Sequence, residues 1–287
     1  MDAITVQCVY GSKHLRHIEE CLIPALARST QRQIRLLTIN YDPLSLQNVA
    51  SGHRHGLDVL DIKNKALVAT GFAENHNTLF KIGNVDNHFV ILNPDCIPHN
   101  NCIERLIERK LITPGAGIVE GRQWPHEHPK EYDILSLQTP WASGAFALID
   151  ADFYRSVGGM DENYFMYIED VDLSWQAWLN GYSVLYEPAA TIAHFSGGPF
   201  YREAIISDEQ YLGLRNFIIL LRKFFGESGE HKALSMLAEH PDRELCNIAI
   251  QDYYNNFYDK IISIPNAAQH KQIKVLGLGL FHRLRDV

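Results

Sequence analysis

The sequence predicts an α/β fold, a mainly parallel sheet wrapped by helices, followed by a helical C-terminal region. Three observations predict it. Strand-like and helix-like segments alternate through the first half, an order that builds a parallel sheet covered by helices. Phe89-Val90-Ile91-Leu92 is apolar at every position, as a strand covered on both faces must be. Beyond about residue 201 the strand pattern stops and longer helical periods take over. The 287 residues suffice for one large α/β domain with an appended region, and 46% apolar with 21% charged residues excludes a disordered chain.

Taken in order, ITVQCVY (4–10) is the first strand, HLRHIEECLIPALA (14–27) a helix, and QIRLLTIN (33–40) and GLDVLDI (56–62) further strands. A helix from about Ala73 to Lys81 leads into the strand HFVILNP (88–94). That strand stops at Asn93-Pro94-Asp95. Ligands in open α/β sheets sit beyond the carboxyl ends of strands, so Asp95 falls where a ligand could lie. A helix from about Asn101 to Lys110 carries Ile103, Leu106, Ile107 and Leu111 on one face. The Gly- and Pro-rich stretch 112–144 reads as short strands between long loops that shape a cleft.

EDVDLSWQAWLN (169–180) is helical, with Val171, Trp175, Trp178 and Leu179 on one stripe, Gly181 as a stop, and Glu169, Asp170 and Asp172 in the first turn. YSVLYEP (182–188) and ATIAHF (190–195) read as two short strands before a turn at Gly197-Gly198-Pro199. Successive helices then cover 202–225, a segment near 230–239, and 242–264. Tyr253, Tyr254, Phe257 and Tyr258 fit a packed helical face or a homodimer contact.

Charge narrows the function. Lys plus Arg number 26 against 34 Asp plus Glu, a net of −8, which argues against gripping nucleic acid. A phosphate would need a metal or a helix N-terminus. No apolar run nears the ~20 residues of a membrane span and no leader pattern is present, so a cytoplasmic protein is expected. The five cysteines (Cys8, Cys21, Cys96, Cys102, Cys246) contain no C-x-x-C and suggest neither a disulfide framework nor a zinc knuckle.

Three polar features fall at strand ends or helix starts: Asn93-Pro94-Asp95, the acids at 169–172, and His194. Each has a plain reading, as a helix cap, a complement to a helix dipole, and a core histidine respectively. Together they suggest more. A carboxylate and an imidazole at the end of a parallel sheet can hold a divalent cation against a diphosphate, and a separate carboxylate can take a proton from an attacking hydroxyl.

The run FYRSVGGMDENYFMYIEDVDLSWQAWLNGYSVLYEPAATIAHFSGG (153–198) resembles the signature of bacterial family-two glycosyltransferases, the rhamnosyltransferase-like branch in particular. GFAENHN (71–77), ILNPD (91–95), WASGAFALI (141–149) and LRNFIILLRKFF (214–225) are similar to further segments of that branch, in order. The resemblance implies a GT-A fold, with a catalytic domain over 1–200 (donor half about 1–98, acceptor-side half about 99–200) and a helical region over 201–287. It implies inverting transfer from a nucleotide-diphosphate sugar, dTDP-rhamnose or a UDP-sugar, to a hydroxyl of a glycan or lipid-linked glycan in surface polysaccharide synthesis, at the inner face of the membrane.

Carried over by position, Asp170 is the catalytic base, and Asp95 and His194 hold a divalent metal, Mn2+ or Mg2+. Tyr10, Asn40, Asn77, Asn93 and Asp95 line the donor side. Trp141, Gly144 and Glu169 line the acceptor side, where an aromatic face can stack on a sugar ring. The chain departs from the pattern at Ile39, where relatives carry an acid that contacts the nucleoside, at Ala69, and at Asn93, which replaces the first acid of an Asp-x-Asp pair.

Two other functions were weighed. The departures raise a catalytically silent nucleotide-sugar-binding scaffold. A sugar nucleotidyltransferase is disfavoured because no Gly-rich basic loop follows the first strand. The C-terminal KQIKVLGLGLFHRLRDV (271–287) has bases flanking an apolar run, which suggests peripheral contact with anionic lipid. WPHEHP (124–129) reads as a mobile loop beside the acceptor rather than a metal cluster.

Overall fold

Strands β1 (Ile4–Tyr10), β2 (Ile34–Asn40), β3 (Gly52–Arg54), β4 (Leu57–Ile62), β5 (His88–Leu92), β6 (Cys96–Pro98), β7 (Ala116–Trp124), β8 (Phe146–Asp150) and β9 (Ser183–His194) form one sheet in the order β3-β4-β2-β1-β5-β8-β7-β9-β6. The computed structural model describes residues 3–44, 47–128, 130, 132–194, 203–278 and 280–281. The expected turn at Gly197-Gly198-Pro199 and the final residues 282–287 lie outside the described residues. The β4-β2-β1-β5 half is parallel, so the carboxyl ends of its strands open on one edge. β8 runs antiparallel between β5 and β7, and β7 pairs in parallel with β9. The mixed, mainly parallel sheet expected from the sequence is present.

Helix boundaries follow local chemistry. The first expected helix is broken into α1 (Leu15–His17), a π turn over Ile18–Leu22, and α2 (Ile23–Leu26). Pro24 has no N–H to continue the ladder, and the Ile23 N–H reaches back to the Ile18 carbonyl instead. Helix α3 (Phe72–Gly83) ends at Asn84 in the left-handed region. In α4 (Cys102–Ile112), Ile103, Leu106 and Ile107 are buried, but Leu111, expected on the same face, is exposed in the last turn.

Helix α5 (Ala151–Ser156) is capped by the Asp150 carboxylate, which accepts from the Phe153 N–H at 2.8 Å. Helix α6 (Glu169–Leu179) buries Val171, Trp175 and Trp178 as its stripe predicts. The two short strands expected at 182–195 are one continuous strand, β9. Its ladder jumps from Gly121–Glu187 to Arg122–Thr191, and the bulge takes up Pro188, which has no N–H to give.

The C-terminal helices α7 (Glu203–Ala238), bent at Gly226 (φ 66°), and α8 (Arg243–Asn256) pack into the same core as Ile91 and Trp175. Trp175 meets Phe224 edge-on with ring centroids 5.0 Å apart. Burying side chains such as Phe217, Leu221 and Phe224 contributes about 1.5–3 kcal/mol each, so this region is continuous with the core of the sheet. Tyr253 is fully buried in the expected packed face.

A short hairpin of β10 (Val275–Gly277) and β11 (Leu280–Phe281) occupies the segment expected to touch lipid. Ile273 and Val275 of that segment are buried, whereas Leu276 between the flanking bases is exposed. Among the described residues, no helix is long and apolar enough to cross a membrane.

Candidate functional site

The turn after β5 carries Asn93 and Asp95 at the open edge of the parallel strands. Asp95 precedes the α4 cap, Asn101, by six residues, so the helix-cap reading does not hold. It is 5% exposed, and its Oδ1 lies 3.4 Å from Nε2 of His194, the last residue of β9. The register brings them together, because Cys96 pairs with His194 across β6 and β9. His194 Nδ1 lies 2.7 Å from the Gln123 amide oxygen, which requires the proton on Nδ1 and presents Nε2 to Asp95.

Burial works to raise the Asp95 carboxyl, but its hydrogen bond and electrostatic interaction with the nearby His194 outweigh it and hold the group below the usual range. Ligand atoms of Asp95, Cys96 and His194 lie within 4.8 Å of one another. Burial, with the charge of Asp95, keeps the Cys96 thiol protonated. An ionised carboxylate and an imidazole oriented from behind by Gln123 fit a hard or borderline divalent cation.

Three residues expected on the donor side make bonds within the fold. Tyr10 is fully buried, donating to Asp61 Oδ1 at 2.9 Å and accepting from the Val49 N–H at 2.9 Å. Asn40 is buried and organises the loop after β2: its Oδ1 accepts from the Asp42 N–H at 3.0 Å and its Nδ2 donates to Ser12 Oγ at 3.1 Å. Asn77 is committed within the fold, donating to the Met160 carbonyl and Glu162 and accepting from Tyr154 Oη at 2.6 Å. Asn93 keeps its place beside Asp95, its N–H donating to the Ala145 carbonyl at 2.8 Å.

The structure adds three donor-side residues. Asp61, near the end of β4, accepts from Tyr10 and from Thr38 Oγ1 at 2.7 Å, and burial raises its carboxyl. His14 accepts from the Gly11 N–H at 3.2 Å, and burial lowers it to about 4, so it faces Asp95 as a neutral ring. Tyr41 packs against Gly11, where any side chain would strike its hydroxyl.

On the other side, Glu169 and Asp170 open α6 after a backbone that L-residues rarely adopt. Phe165, Tyr167 and Ile168 have φ of 62°, 71° and 75°, costing of order 1–3 kcal/mol each. The surroundings hold this turn from two sides. Asn216 Nδ2 of α7 reaches the carbonyls of Tyr164, Met166 and Tyr167 at 2.9, 2.8 and 2.8 Å, and Arg215 donates to the Tyr164 carbonyl at 2.9 Å. From α3, the Phe72 N–H donates to the Phe165 carbonyl at 2.5 Å, over a Gly71 whose added Cβ would lie 2.7 Å from that oxygen. The segments GFAENHN and LRNFIILLRKFF therefore clamp one loop.

Asp170 Oδ2 accepts from the Gly144 N–H at 3.0 Å and Oδ1 from the Val171 N–H at 2.8 Å. Burial raises its carboxyl, opposed by the Gly144 N–H and the Lys130 ammonium. Glu169 is 5% exposed, and its Oε2 has no hydrogen-bond partner. Burial and the charge of Asp170 push it well above the usual range. The environments separate the two acids: burial and a neighbouring charge push Glu169 well above the usual range, while the Gly144 and Val171 N–H donors favour the ionised form of Asp170. Asp172 is a core residue, bonded to Tyr164 Oη at 2.8 Å and paired with Lys223 at 2.7 Å.

Trp141 is only 8% exposed, with Lys130 Nζ 3.8 Å from its ring centroid and His128 packed at 5.1 Å, so the expected sugar-stacking face is taken by these side chains. Gly144 lies against Phe72 and Asp170 Cβ. The segment Ser143–Ala145 joins the two halves of the site: its Gly144 N–H holds Asp170 and its Ala145 carbonyl holds Asn93.

No protein-family model matches the chain. It is 33% identical over 90 residues to an N-acetylglucosaminyl-diphospho-decaprenol L-rhamnosyltransferase of Mycobacterium tuberculosis, a match covering 29% of each chain. It is 35% identical over 68 residues to the rhamnosyltransferase WbbL of Escherichia coli K12, covering 24% of this chain and 26% of that protein. The matched segments thus span under a third of these relatives. In structure it is similar to the mannosyltransferase PcManGT of Pyrobaculum calidifontis in complex with GDP-Man and Mn2+, with a TM-score of 0.59 at 13% identity over 92% of this chain and 77% of that one. It is also similar to GalNAc-T7 with UDP, GalNAc and Mn2+ (TM-score 0.57, 12% identity, 90% and 57% covered). Residues 1–349 of Staphylococcus aureus TarS give 0.54 at 9% identity, with 90% and 73% covered. The chain has the GT-A fold, and parts of its sequence are similar to rhamnosyltransferases.

Proposed function

We propose that the chain is an inverting glycosyltransferase that moves a sugar from a nucleotide-diphosphate donor, dTDP-rhamnose or a UDP-sugar, to a hydroxyl of a glycan or lipid-linked glycan in bacterial surface polysaccharide synthesis. The observation that carries this reading is the bridging segment Ser143–Ala145, which bonds Asp170 through the Gly144 N–H and the Asn93 turn through the Ala145 carbonyl. A proton acceptor and a diphosphate-side carboxylate thereby flank one short piece of backbone. The rhamnosyltransferase relatives support the substrate class, and the GDP-Man complex of one structural neighbour and the UDP and GalNAc bound to another support a nucleotide-activated donor.

In this reading Asp170, ionised and held by two N–H donors, takes the proton of the acceptor hydroxyl as that oxygen attacks the anomeric carbon. Glu169, carrying its proton, donates to the acceptor and keeps a second charge out of the site. Asp95 and His194 would hold a divalent cation, which would supply positive charge to a diphosphate leaving group. Asp61, Asn93 and the neutral His14 orient the donor at the strand ends. Attack from the face opposite the leaving group inverts the anomeric centre, by the geometric logic of inverting glycoside hydrolysis.

The test is to incubate the protein and Mn2+ with dTDP-rhamnose, UDP-sugars or GDP-sugars and a glycosyl-diphospho-polyprenol acceptor, then read the product linkage by NMR. An inverted anomeric configuration with one donor is expected. Donor binding without any product would favour the silent-scaffold reading, and a retained configuration would exclude the inverting one.

A further inference from the structure

Lys130 follows the WPHEHP segment (124–129), and its side chain is 1% exposed. Its Nζ lies 2.9 Å from Glu120 Oε1, 2.8 Å from Glu120 Oε2, 2.7 Å from the Trp141 carbonyl, 3.8 Å from the Trp141 ring centroid and 5.8 Å from that of Tyr132. Glu120, on β7, is buried as deeply, and its Oε1 also accepts from the Ser143 N–H at 3.1 Å. The pair therefore grips the 141–143 segment at both ends, one residue before the Gly144 N–H that holds Asp170. The loop is pinned again at Glu127, which accepts from Tyr186 Oη at 2.6 Å.

A buried ammonium and carboxylate are costly to desolvate, and such a pair is weak evidence for stability alone. Its place here points to another use. The charged and titratable groups around Asp170 are Glu169 and Asp172 of its own helix, Glu120 of β7, and Lys130 of the loop, with His128 and Glu127 next to Lys130. Asp172 is neutralised by Lys223. Burial lowers His128 to about 4, which leaves it uncharged. Among the described residues, Lys130 is the ammonium paired with Glu120 beside the segment that holds Asp170.

We infer that Lys130 is a positioning residue for transfer: clasped by Glu120, it fixes the Trp141–Gly144 segment against Asp170 and supplies the positive charge that keeps this carboxylate ionised. The inference rests on Asp170 being the base. The interaction of Lys130 with Asp170, which opposes the effect of burial, agrees with it.

The experiment is the pH profile of kcat for Lys130→Met, Lys130→Arg and Glu120→Gln in the full chain, with donor KM and Mn2+ titrations alongside. Lys130→Met should move the acid limb upward by about one pH unit, a tenfold loss of rate on the acid side, with donor KM little changed. Lys130→Arg should return the limb to its wild-type position. Glu120→Gln removes a negative neighbour and should move the limb downward, so it tests the charge even if Lys130→Met fails to fold. Equal loss at every pH, or limbs that do not move in opposite directions for the Lys130 and Glu120 variants, would overturn the inference. If Asp170→Asn is inactive and the Lys130→Met profile is unshifted, the inference alone fails; if Asp170→Asn stays active, the base assignment fails with it.

Discussion

The Gly144 N–H donates to Asp170 Oδ2 at 3.0 Å, so the acid of the Glu-Asp pair is held by backbone from the other side of the site. Such a bond favours the ionised form and fixes the carboxylate's direction, two properties of a general base. Glu169, adjacent in sequence, has no comparable donor and an unpartnered Oε2.

The glycines of the site should respond differently to a methyl group. A Cβ at Gly144 would meet Phe72 at 3.4 Å and Asp170 Cβ at 3.7 Å, ordinary contacts, whereas one at Gly71 would lie 2.7 Å from the Phe165 carbonyl oxygen. Gly71→Ala is expected to destabilise by about 1–3 kcal/mol and lower kcat, and Gly144→Ala to change stability by under about 1 kcal/mol. Denaturant unfolding checks both.

Asn216→Ala should release the turn that presents Glu169 and Asp170. Carbonyls bonded by the amide lose their donor, at a cost of about 1–3 kcal/mol, and the left-handed residues relax. Faster amide exchange over 165–172 and a fall in kcat with little change in donor affinity are expected. Unchanged exchange there would remove the clamp role.

Support from behind the His194 ring should matter at the proposed cation site. Gln123→Ala frees the His194 ring to rotate, and Mn2+ binding in the presence of nucleotide should weaken by about 10- to 100-fold, with a larger loss in Asp95→Ala and His194→Ala. Unaltered Mn2+ titrations for Asp95→Ala and His194→Ala would remove these residues from the cation site.

Acid sensitivity has an identified source. His76 is buried against Gln7, with Nδ1 and Oε1 2.9 Å apart, and burial lowers it from 6.5 to about 3. The unfolded chain takes up this proton first, so the neutral ring's contribution is complete above 6.5 and is lost as pH falls toward 3. The slope from this one group is about 1.4 kcal/mol per pH unit. Unfolding free energies of His76→Gln measured between about pH 6.5 and 4 should show a shallower slope than wild type.

Much of this was legible because it is local. Four apolar residues in β5 mark a doubly covered strand, and Asp95 follows directly from where that strand ends. The Val171–Trp178 stripe places Asp170 in a first helical turn. The bracing bonds of Tyr10, Asn40, Asn77 and Trp141 are not legible, because a polar or aromatic residue near a site looks alike in sequence whether it faces a ligand or braces a neighbour. Distance in sequence hid the rest. Asn216 lies 49 to 52 residues from the carbonyls it bonds, and Tyr10 is 51 residues from Asp61. The one available signal for Asp61 was its place near the end of a parallel strand, as for Asp95.

The central claim is that Asp170 accepts the acceptor's proton. Its most direct test is Asp170→Asn, assayed for turnover with the donor that binds and, separately, for affinity to that donor with Mn2+. The predicted result is a loss of at least ~100-fold in kcat with donor affinity nearly unchanged. Turnover within a few-fold of wild type would contradict it.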